Sequence, residues 1–320
     1  PQLCASDGAA SSSDAPCGGG ALTLVGCRVA VHHATFADGA KVEWSVSADD
    51  GETWKPLAPQ PAACSADDTL VYGGAWFAFS VLTFALSRTL SPKYFPATYS
   101  RVASEPGGRG YWDSSVASLI NGVLLGTAGL GAFIRSSPVV MGSDFYAKTS
   151  DSCRVMSMFT AWISFEFVLQ LVHWGQWKES GAMLVHHVSA LTAWVLYMQG
   201  GYAHALSLIG CICEYTNPFM NIRYFLLELQ LKESKAYMAN GLAFLLAWLV
   251  IRIGFAPGVG GYMVWLQWAQ ISALPLWRSG LLLFFFGVGC CLNCMWGYKL
   301  LRGALKILFA GEHPKEGKES

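Results

Sequence analysis

Glu166, Gln170 and His173 form the first group of residues able to do chemistry, and they lie within a long apolar stretch. Their spacing of i, i+4 and i+7 places all three on one face of a helix. Ionisable groups are costly in lipid and usually face a bundle interior or a water-filled cavity. We therefore expect this face to point toward neighbouring helices and to line a lipid pocket.

The adjacent pair His186 and His187 lies in the next apolar stretch. Successive residues differ by about 100° around a helix, so at most one of the two rings points squarely at the bundle centre. An imidazole can accept or donate a proton near neutral pH. We therefore take His186 and His187, together with Glu214, as the candidate catalytic residues.

Glu214 lies in a third apolar stretch that also contains Pro218, Asn221 and Arg223. Glu214 and Asn221 are two helical turns apart and share a face. Pro218 lacks a backbone N–H, so we expect it to kink the helix and to free the carbonyl of Glu214. Arg223 is expected to pair with a carboxylate or to extend to the membrane surface. We expect Asn221 and Arg223 to line the same lipid pocket.

Three more polar residues, Asn240, Arg252 and Asn293, lie in the apolar stretches that follow. For each polar residue taken singly, a purely structural role is the competing interpretation, since interhelical hydrogen bonds can fix helix packing. Cys290, Cys291 and Cys294 have a C-C-x-x-C pattern, for which metal or redox chemistry is the alternative to packing, but no metal site and no resident cofactor are expected.

The elements that position these residues are predicted from composition. Hydrophobic residues make up 53% of the chain and charged residues 13%, against about 25% charged in soluble domains. The net charge is zero, and nothing indicates a nucleic-acid partner. Because a spanning helix needs about 20 apolar residues, we predict an all-α membrane bundle of about seven spans. They are 70–86, 115–134, 155–172, 182–198, 203–227, 237–255 and 281–301.

The segment 262–276 is apolar but short and rich in Trp and Gln, and we interpret it as interfacial or re-entrant. Lys and Arg favour cytoplasmic loops. With the N-terminus outside, 13 of these residues lie inside and five, including Arg252, lie outside. This asymmetry predicts seven spans with a cytoplasmic C-terminus.

The predicted domains are an extramembrane unit at 1–69, a helix bundle at 70–310 and a polar cytoplasmic tail at 311–320. The first unit is expected to be β-rich, and Ser47–Trp54 resembles an Asp-box hairpin through Ser47, Asp49, Gly51, Thr53 and Trp54. Its four cysteines, Cys4, Cys17, Cys27 and Cys64, predict two disulfides of unknown pairing. The remaining cysteines, Cys153, Cys211, Cys213, Cys290, Cys291 and Cys294, are expected to be packing residues.

The stretch 184–226 resembles the core of the TLC family, which includes ceramide synthases and several other membrane proteins. The matching elements are His186–His187 and the block E-x-T-x-P-F-x-N-x-R-Y-F that begins at Glu214. The second block is most similar to the non-synthase branch, whose members affect phospholipid composition. The resemblance implies a lipid-related helix bundle over about 70–310.

Resemblance to ceramide synthases would imply acyl transfer from acyl-CoA to a sphingoid amine, with the paired histidines as acid or base. Those enzymes carry a His-Asp pair and a further Asp, whereas the corresponding stretch here reads GCICEYTN. The chain is therefore expected to bind or process a sphingolipid or phospholipid, with acyl-CoA as a candidate substrate. The alternative is a non-catalytic accessory subunit of a larger membrane complex.

A retinal protein is disfavoured because 281–298 contains no lysine for a Schiff base. The cysteines and the family resemblance favour a membrane of the secretory pathway, either endoplasmic reticulum or plasma membrane. A plastid or mitochondrial membrane is the alternative, because the chain starts at Pro1 without Met, as cleavage of a targeting segment would leave it.

Overall fold

The computed structural model describes residues 64–140, 142, 144–177 and 179–309, together with the backbone of four strands nearer the N-terminus. The chain divides into two compact units, Pro1–Pro61 and Ala62–Ser320. The predicted boundary at residue 70 lies inside the first helix of the second unit. The tail predicted at 311–320 lies outside the described residues.

In the first unit, four strands pair antiparallel in the order β1 (Ala21–Leu24), β2 (Cys27–His33), β3 (Glu43–Ser47) and β4 (Lys55–Pro56). Cys4, Cys17 and the Asp-box residues after Ser47 lie outside the described residues. These short strands do not by themselves support a folded, disulfide-bonded β domain, and that domain stays a prediction.

The second unit is all-helical. Its helices are α1 (Ala66–Tyr94), α2 (Pro96–Ala103), α3 (Gly108–Val140), α4 (Ser150–Val172), α5 (Ser180–Gly200), α6 (His204–Ile212), α7 (Asn217–Glu228), α8 (Lys235–Ala247), α9 (Ala256–Leu266), α10 (Trp268–Ser272) and α11 (Leu276–Phe309). Among the described residues, six helical segments are long and apolar enough to cross a membrane. The prediction of an all-α, multi-pass bundle is therefore confirmed.

Helix α1 shows the inverted polarity of a lipid-facing helix. Its buried residues are Ser80, Thr83, Ser87 and Ser91, whereas leucines such as Leu82 and Leu86 are exposed. In water this pattern would be unfavourable, but in lipid the apolar side faces the hydrocarbon and small hydroxyl residues allow close helix packing. Helix α1 packs mainly on α4 and α3.

The predicted span 203–227 is broken into three pieces. Helix α6 leads into a 3₁₀ turn at Cys213–Thr216, and α7 follows with Pro218 in its first turn. The predicted interruption near Pro218 is thus observed, but the carbonyl of Glu214 is not free, because it accepts the N–H of Asn217. End to end the three pieces would extend about 40 Å, enough to cross a core of about 30 Å, and the count of seven spans stays a prediction.

Glycines of α3 allow this broken segment to pack closely. A Cβ at Gly122 would lie 2.9 Å from the carbonyl oxygen of Glu214, one at Gly126 2.8 Å from the Tyr215 ring, and one at Gly129 2.8 Å from Cys211. Such a stripe of small residues lets two backbones approach each other in a membrane bundle. The close packing therefore fixes the position of Glu214 along the axis of α3.

Lys235–Leu266 is one long helix of 32 residues, made of α8, a π-helical turn at Trp248–Phe255 and α9. The wide turn directly precedes Pro257, which has no N–H to donate to the preceding turn. The segment 262–276 is not a separate helix, and its interfacial or re-entrant position stays a prediction. Its first residues complete α9, and α10 adds only a single short helix.

Cys64 is bonded to Cys153 in the first turns of α4. Two predictions are therefore wrong, because Cys64 has a partner outside the predicted set and Cys153 is not a free packing residue. The sequence separation of 89 residues concealed the pair, which forms only because α1 and α4 pack together. The side chains of Cys4, Cys17 and Cys27 lie outside the described residues.

Candidate functional site

A cavity of about 420 Å³ lies among α3, α4, α5, α7, the π-helical turn and α11. We call it the polar cavity because ionisable and amide side chains supply much of its wall. Its lining includes Ser114, Ser118, Glu166, Gln170, Glu179, His186, His187, Glu214, Asn217, Asn221, Arg252, Trp296 and Lys299. Most of the residues singled out from the sequence therefore meet in one place.

On α4, Glu166 and Gln170 face the polar cavity. The carboxylate of Glu166 accepts a hydrogen bond of 2.9 Å from the hydroxyl of Ser114 on α3. Gln170 is only 2% exposed, and its Nε2 has no hydrogen-bond partner among the described residues. An amide donor left unpaired beside an open cavity is available to a ligand.

His173 does not join them. It lies one residue after the last residue of α4, stacks on Trp177 with ring centroids 4.9 Å apart and contacts Gln176 through Nδ1 at 3.0 Å. Because α4 ends at Val172, His173 lies in the turn that follows. It does not continue the helical face of Glu166 and Gln170. It is not among the residues that line the polar cavity.

The paired histidines of α5 occupy different surroundings. His187 is 3% exposed and lines the polar cavity, and its Nδ1 has no partner among the described residues. His186 lies against the edge of Trp296 on α11, with ring centroids 5.8 Å apart. Both imidazoles are thus held at the cavity wall, and His187 keeps a buried ring nitrogen without a partner among the described residues.

Glu214 is buried in the 3₁₀ turn between α6 and α7. One carboxylate oxygen accepts a 2.8 Å hydrogen bond from the amide of Asn217, and the other lies 3.9 Å from Nη2 of Arg252. Asn221, one helical turn beyond Asn217, is buried and donates to the backbone carbonyl of Asn217. The helix break therefore holds its carboxylate and amides against the polar cavity.

Arg252 lies in the π-helical turn and is 6% exposed. Its Nε donates to the hydroxyl of Thr216 at 2.7 Å, and Nη2 donates to the carbonyl of Cys213 at 3.0 Å. Nη1 is 3.4 Å from the Asn293 side chain, and the guanidinium lies over the Trp248 ring. Arg252 thus joins the broken helix, the π-helical turn and α11.

The comparison with known families follows from this helix arrangement. The model of the TLC domain matches residues 111–302, well over half of the chain. This chain belongs to the TLC domain family.

Three curated relatives are non-synthase TLC proteins, in agreement with the predicted branch. The chain is 23% identical over 242 residues to TLC domain-containing protein 4 of Homo sapiens, covering 73% of this chain and 88% of the relative. It is 24% identical over 263 residues to protein 4-A of Xenopus laevis, covering 76% and 95%. For protein 4-B of Danio rerio the values are 22% over 255 residues, covering 75% and 90%.

All residues that line the polar cavity lie within the matched TLC domain. Besides His173, two residues depart from the expected site. Arg223 does not line the polar cavity, since its guanidinium lies over the Tyr237 ring, 4.5 Å from the centroid. Arg252, counted in the orientation argument as an outside residue, is instead a buried cation on the cavity wall.

A clear sequence signal marks Arg252, because it is the only ionisable side chain between Tyr237 and Tyr262. An arginine in the middle of so long an apolar stretch needs a buried partner. Its omission from the predicted site came from ending the sixth span at residue 255. That choice placed Arg252 close to a presumed loop.

A second cavity of the TLC domain, of about 150 Å³, adjoins the first. We call it the apolar cavity, since its wall is mainly aromatic and aliphatic, with Phe159, Trp194, Leu206, Ile209, Phe285 and Phe286 among the lining residues. His186, Glu214 and Arg252 line both cavities. The ionisable residues therefore lie where a polar chamber meets an apolar one.

At the rim of the polar cavity, Glu179 bridges the start of α5 and α11. Its two carboxylate oxygens accept hydrogen bonds from Lys299 at 2.6 Å and from the indole of Trp296 at 2.9 Å. These bonds hold the pKa of Glu179 below its usual range, with that from Lys299 having the largest effect. The side chains of Glu179 and Lys299 are both partly exposed. Their contact can therefore break without disrupting the packing of the core.

Proposed function

We propose that this TLC-domain protein binds a membrane lipid, with the polar head in the polar cavity and part of an acyl chain in the apolar cavity. The observation that carries the proposal is the pair of unpartnered buried atoms, Gln170 Nε2 and His187 Nδ1, beside the same cavity. A buried polar atom without a partner costs about 1–3 kcal/mol. A ligand that supplies both partners removes this cost.

The charges of the cavity favour a head group that carries an amine. Glu179 is paired with Lys299, and Glu214 is paired with Arg252. Glu166 has the Ser114 hydroxyl as its hydrogen-bond partner and no ion pair among the described residues. An ammonium or hydroxyl group of the ligand would complete the coordination of Glu166, and an oxygen acceptor would complete that of Gln170.

Ethanolamine phospholipids and sphingoid bases share this amine chemistry. Both also carry an apolar chain next to the polar head, as the adjoining cavities require. The junction at His186, Glu214 and Arg252 would then lie beside the bonds that join head and chain. Phosphatidylcholine, whose quaternary ammonium has no N–H to donate, is expected to bind less well.

A processing step is the second part of the proposal. The free Nδ1 of His187 could accept a proton from a ligand amine or hydroxyl, and Glu214 lies on the wall of the same cavity. Acyl transfer from acyl-CoA would follow if the amine attacked the thioester carbonyl, expelled the CoA thiolate and passed its proton to His187. Acyl-CoA-dependent turnover by the purified protein tests this step, and its absence would leave binding alone.

The test of binding uses the full chain reconstituted in nanodiscs. Native mass spectrometry after incubation with phosphatidylethanolamine, a sphingoid base, phosphatidylcholine or phosphatidylglycerol should show retention of the two amine-bearing lipids. Gln170→Leu and His187→Phe should each reduce retention about tenfold. Thr160→Val is the matched control, because Thr160 lines neither cavity and its hydroxyl contacts Met156 and Met198.

Equal retention of all four lipids, or retention unchanged in both variants, would refute lipid recognition in the polar cavity. If the purified protein held no lipid and instead co-purified with another membrane protein in fixed stoichiometry, the alternative of an accessory subunit would stand. The membrane of residence and the outward orientation of the N-terminus remain proposals, and protease protection of 1–61 in sealed vesicles tests the latter.

A further inference from the structure

Cys64, Cys153 and His204 form a cluster in a different part of the bundle from both cavities. One ligand atom from each residue lies within 4.8 Å of the other two. Cys64 directly precedes the N-cap of α1, Cys153 lies in the first turns of α4, and His204 is the first residue of α6. Cys153 and His204 are buried.

The hydrogen bonds around His204 favour one tautomer. The hydroxyl of Ser152 accepts the N–H of Thr149 at 2.9 Å and contacts the Thr149 carbonyl at 2.8 Å. When its proton is directed at that carbonyl, the 2.7 Å contact with Nδ1 of His204 is a hydrogen bond that Nδ1–H donates. The lone pair is then on Nε2.

That lone pair has nothing to bind in the disulfide form. His204 is 1% exposed, and its Nε2 has no partner among the described residues. An imidazole whose Nδ1–H is held by an oxygen while Nε2 stays free has the arrangement of a metal-ligating histidine with its supporting hydrogen bond. Nothing in the lipid site uses this residue.

We propose that, when the Cys64–Cys153 disulfide is reduced, the two sulfurs and Nε2 of His204 bind a zinc ion. A dithiol reductant would donate two electrons to the disulfide and become oxidised to its own disulfide, leaving two protein thiols. Zinc would then displace one proton from each thiol. Two thiolates and one neutral imidazole balance the charge of the ion, so that the buried centre is neutral overall.

The geometry allows such a centre after a small movement. Zinc–sulfur bonds of about 2.3 Å and zinc–nitrogen bonds of about 2.0 Å place tetrahedral ligand atoms about 3.3–3.8 Å apart. The imidazole nitrogen must therefore approach the sulfurs by up to about 1 Å, and the two bonded sulfurs must separate. Cys153 lies close to the positive end of the α4 dipole, which favours a thiolate. A water or a ligand would complete the fourth position.

The experiment compares oxidised and reduced full-length protein in detergent, titrated with Zn²⁺ against a chromophoric chelator and, separately, with Co²⁺. The reduced form should take up an ion with thiolate-to-cobalt absorption, and the oxidised form should lack this site. His204→Ala should weaken the affinity at least 100-fold, and Ser152→Ala, which removes the supporting hydroxyl, 10–100-fold. His173→Ala is the matched control and should leave the affinity unchanged.

Two further measurements distinguish zinc binding at this site from binding by other cysteines. Serine at Cys290, Cys291 and Cys294 should not alter the response of His204→Ala, and bound zinc should protect Cys64 and Cys153 from alkylation, as mapped by mass spectrometry. The protection assay uses the unmutated chain, so it remains decisive if a variant does not fold. Reduced protein without protection, or an affinity insensitive to both His204→Ala and Ser152→Ala, would overturn the proposal.

Discussion

Asp113 and Ser114 are neighbours on α3, yet they face two regions with opposite properties. Asp113 is completely buried, and its carboxylate accepts hydrogen bonds from Ser87, Arg88 and Tyr99. Ser114 faces the polar cavity, where Gln170 and His187 each retain an unpartnered atom. One region supplies partners for its buried charge, and the other leaves polar atoms free beside an open volume.

This difference separates a structural role of buried polar groups from the binding role proposed for the polar cavity. Around Asp113, the indole of Trp112 donates to Ser91 and packs edge-on against Tyr99, so the region is filled by side chains. Burial and the adjacent Asp113 carboxylate raise the pKa of Tyr99 to about 12, which keeps its hydroxyl a donor. In the polar cavity, unpartnered polar atoms occur together with unfilled space. This is expected where a ligand supplies the partners and fills the space.

Substitution of Arg252 gives the strongest test of this comparison. Arg252 lies on the cavity wall, yet its guanidinium is hydrogen-bonded as the Asp113 carboxylate is. Arg252→Ala should lower the free energy of unfolding by about 3–5 kcal/mol, since it leaves Glu214 as an uncompensated buried charge. Titration with a denaturing detergent measures the loss. Arg278→Ala is the matched control, because Arg278 lies over Trp277 near the start of α11 and should change stability by less than about 0.5 kcal/mol.

If Arg252→Ala left stability intact but abolished lipid retention, Arg252 would belong with the unsatisfied binding groups, and the division drawn above would be wrong. Arg252→Lys sharpens the result. Lysine keeps the charge but loses the planar fork that reaches Thr216 and Cys213 at once, so most of the destabilisation should remain.

Asp113→Asn tests the filled region. The substitution keeps the shape but removes the charge that three donors share, and it introduces an amide N–H₂ facing those donors. We expect a loss of about 2 kcal/mol in the free energy of unfolding, with lipid retention unchanged once the protein is folded. Asp67→Asn, at an exposed position in the first turn of α1, is the control. Equal stability of the two variants would contradict a structural role for Asp113.

Gln170→Leu should not lower the free energy of unfolding as Asp113→Asn does. Because Nε2 of Gln170 has no partner, replacing the amide by an apolar side chain of similar size should leave stability unchanged or raise it by about 1 kcal/mol. The same variant should reduce lipid retention about tenfold. Thermal unfolding without added lipid, compared with unfolding in its presence, separates the two effects. A clear loss of stability without lipid would show that Gln170 has a partner in the folded bundle.

The sequence predicts the two regions unequally. Apolar length locates the helical segments but shortens several of them, by eight residues at the end of α1 and eleven at the end of α9. The helical spacing of Glu166 and Gln170 correctly assigns them to one inward face. Asp113 gave no such signal, because it lies at the beginning of an apolar stretch where an acidic residue is unremarkable. Its burial depends on α2, a helix of eight residues too short and too polar to detect by hydropathy.

The remaining differences have physical causes that local patterns cannot express. Arg252 is buried because a π-helical turn and a broken helix meet, and both depend on tertiary packing around Pro257 and Pro218. The Cys64–Cys153 bond depends on α1 lying against α4. His173 fails to follow its predicted face because α4 ends at Val172. For Arg252 and His173 a periodic pattern was cut too short or extended too far, whereas the disulfide joins residues 89 positions apart that no local pattern relates.

The rim contact at Glu179 should give the smallest effect, and its pH dependence has a definite sign. Since the folded state lowers the pKa of Glu179, the contact stabilises the protein above the ordinary carboxyl pKa of about 4.3 and loses its contribution as the pH falls through the lowered value. Glu179→Gln should therefore cost a few tenths of a kcal/mol near neutral pH. That cost should disappear in acid.

Thermal unfolding of both proteins across this pH range measures the difference, with Glu233→Gln at an exposed position as the control. Salt should reduce the Glu179 effect, because the pair with Lys299 is partly exposed. If the contact is also the rim through which lipid enters, Glu179→Gln should speed lipid exchange while leaving equilibrium retention nearly unchanged. Slower exchange would instead mean that Glu179 binds the entering head group and belongs with the unsatisfied residues of the cavity.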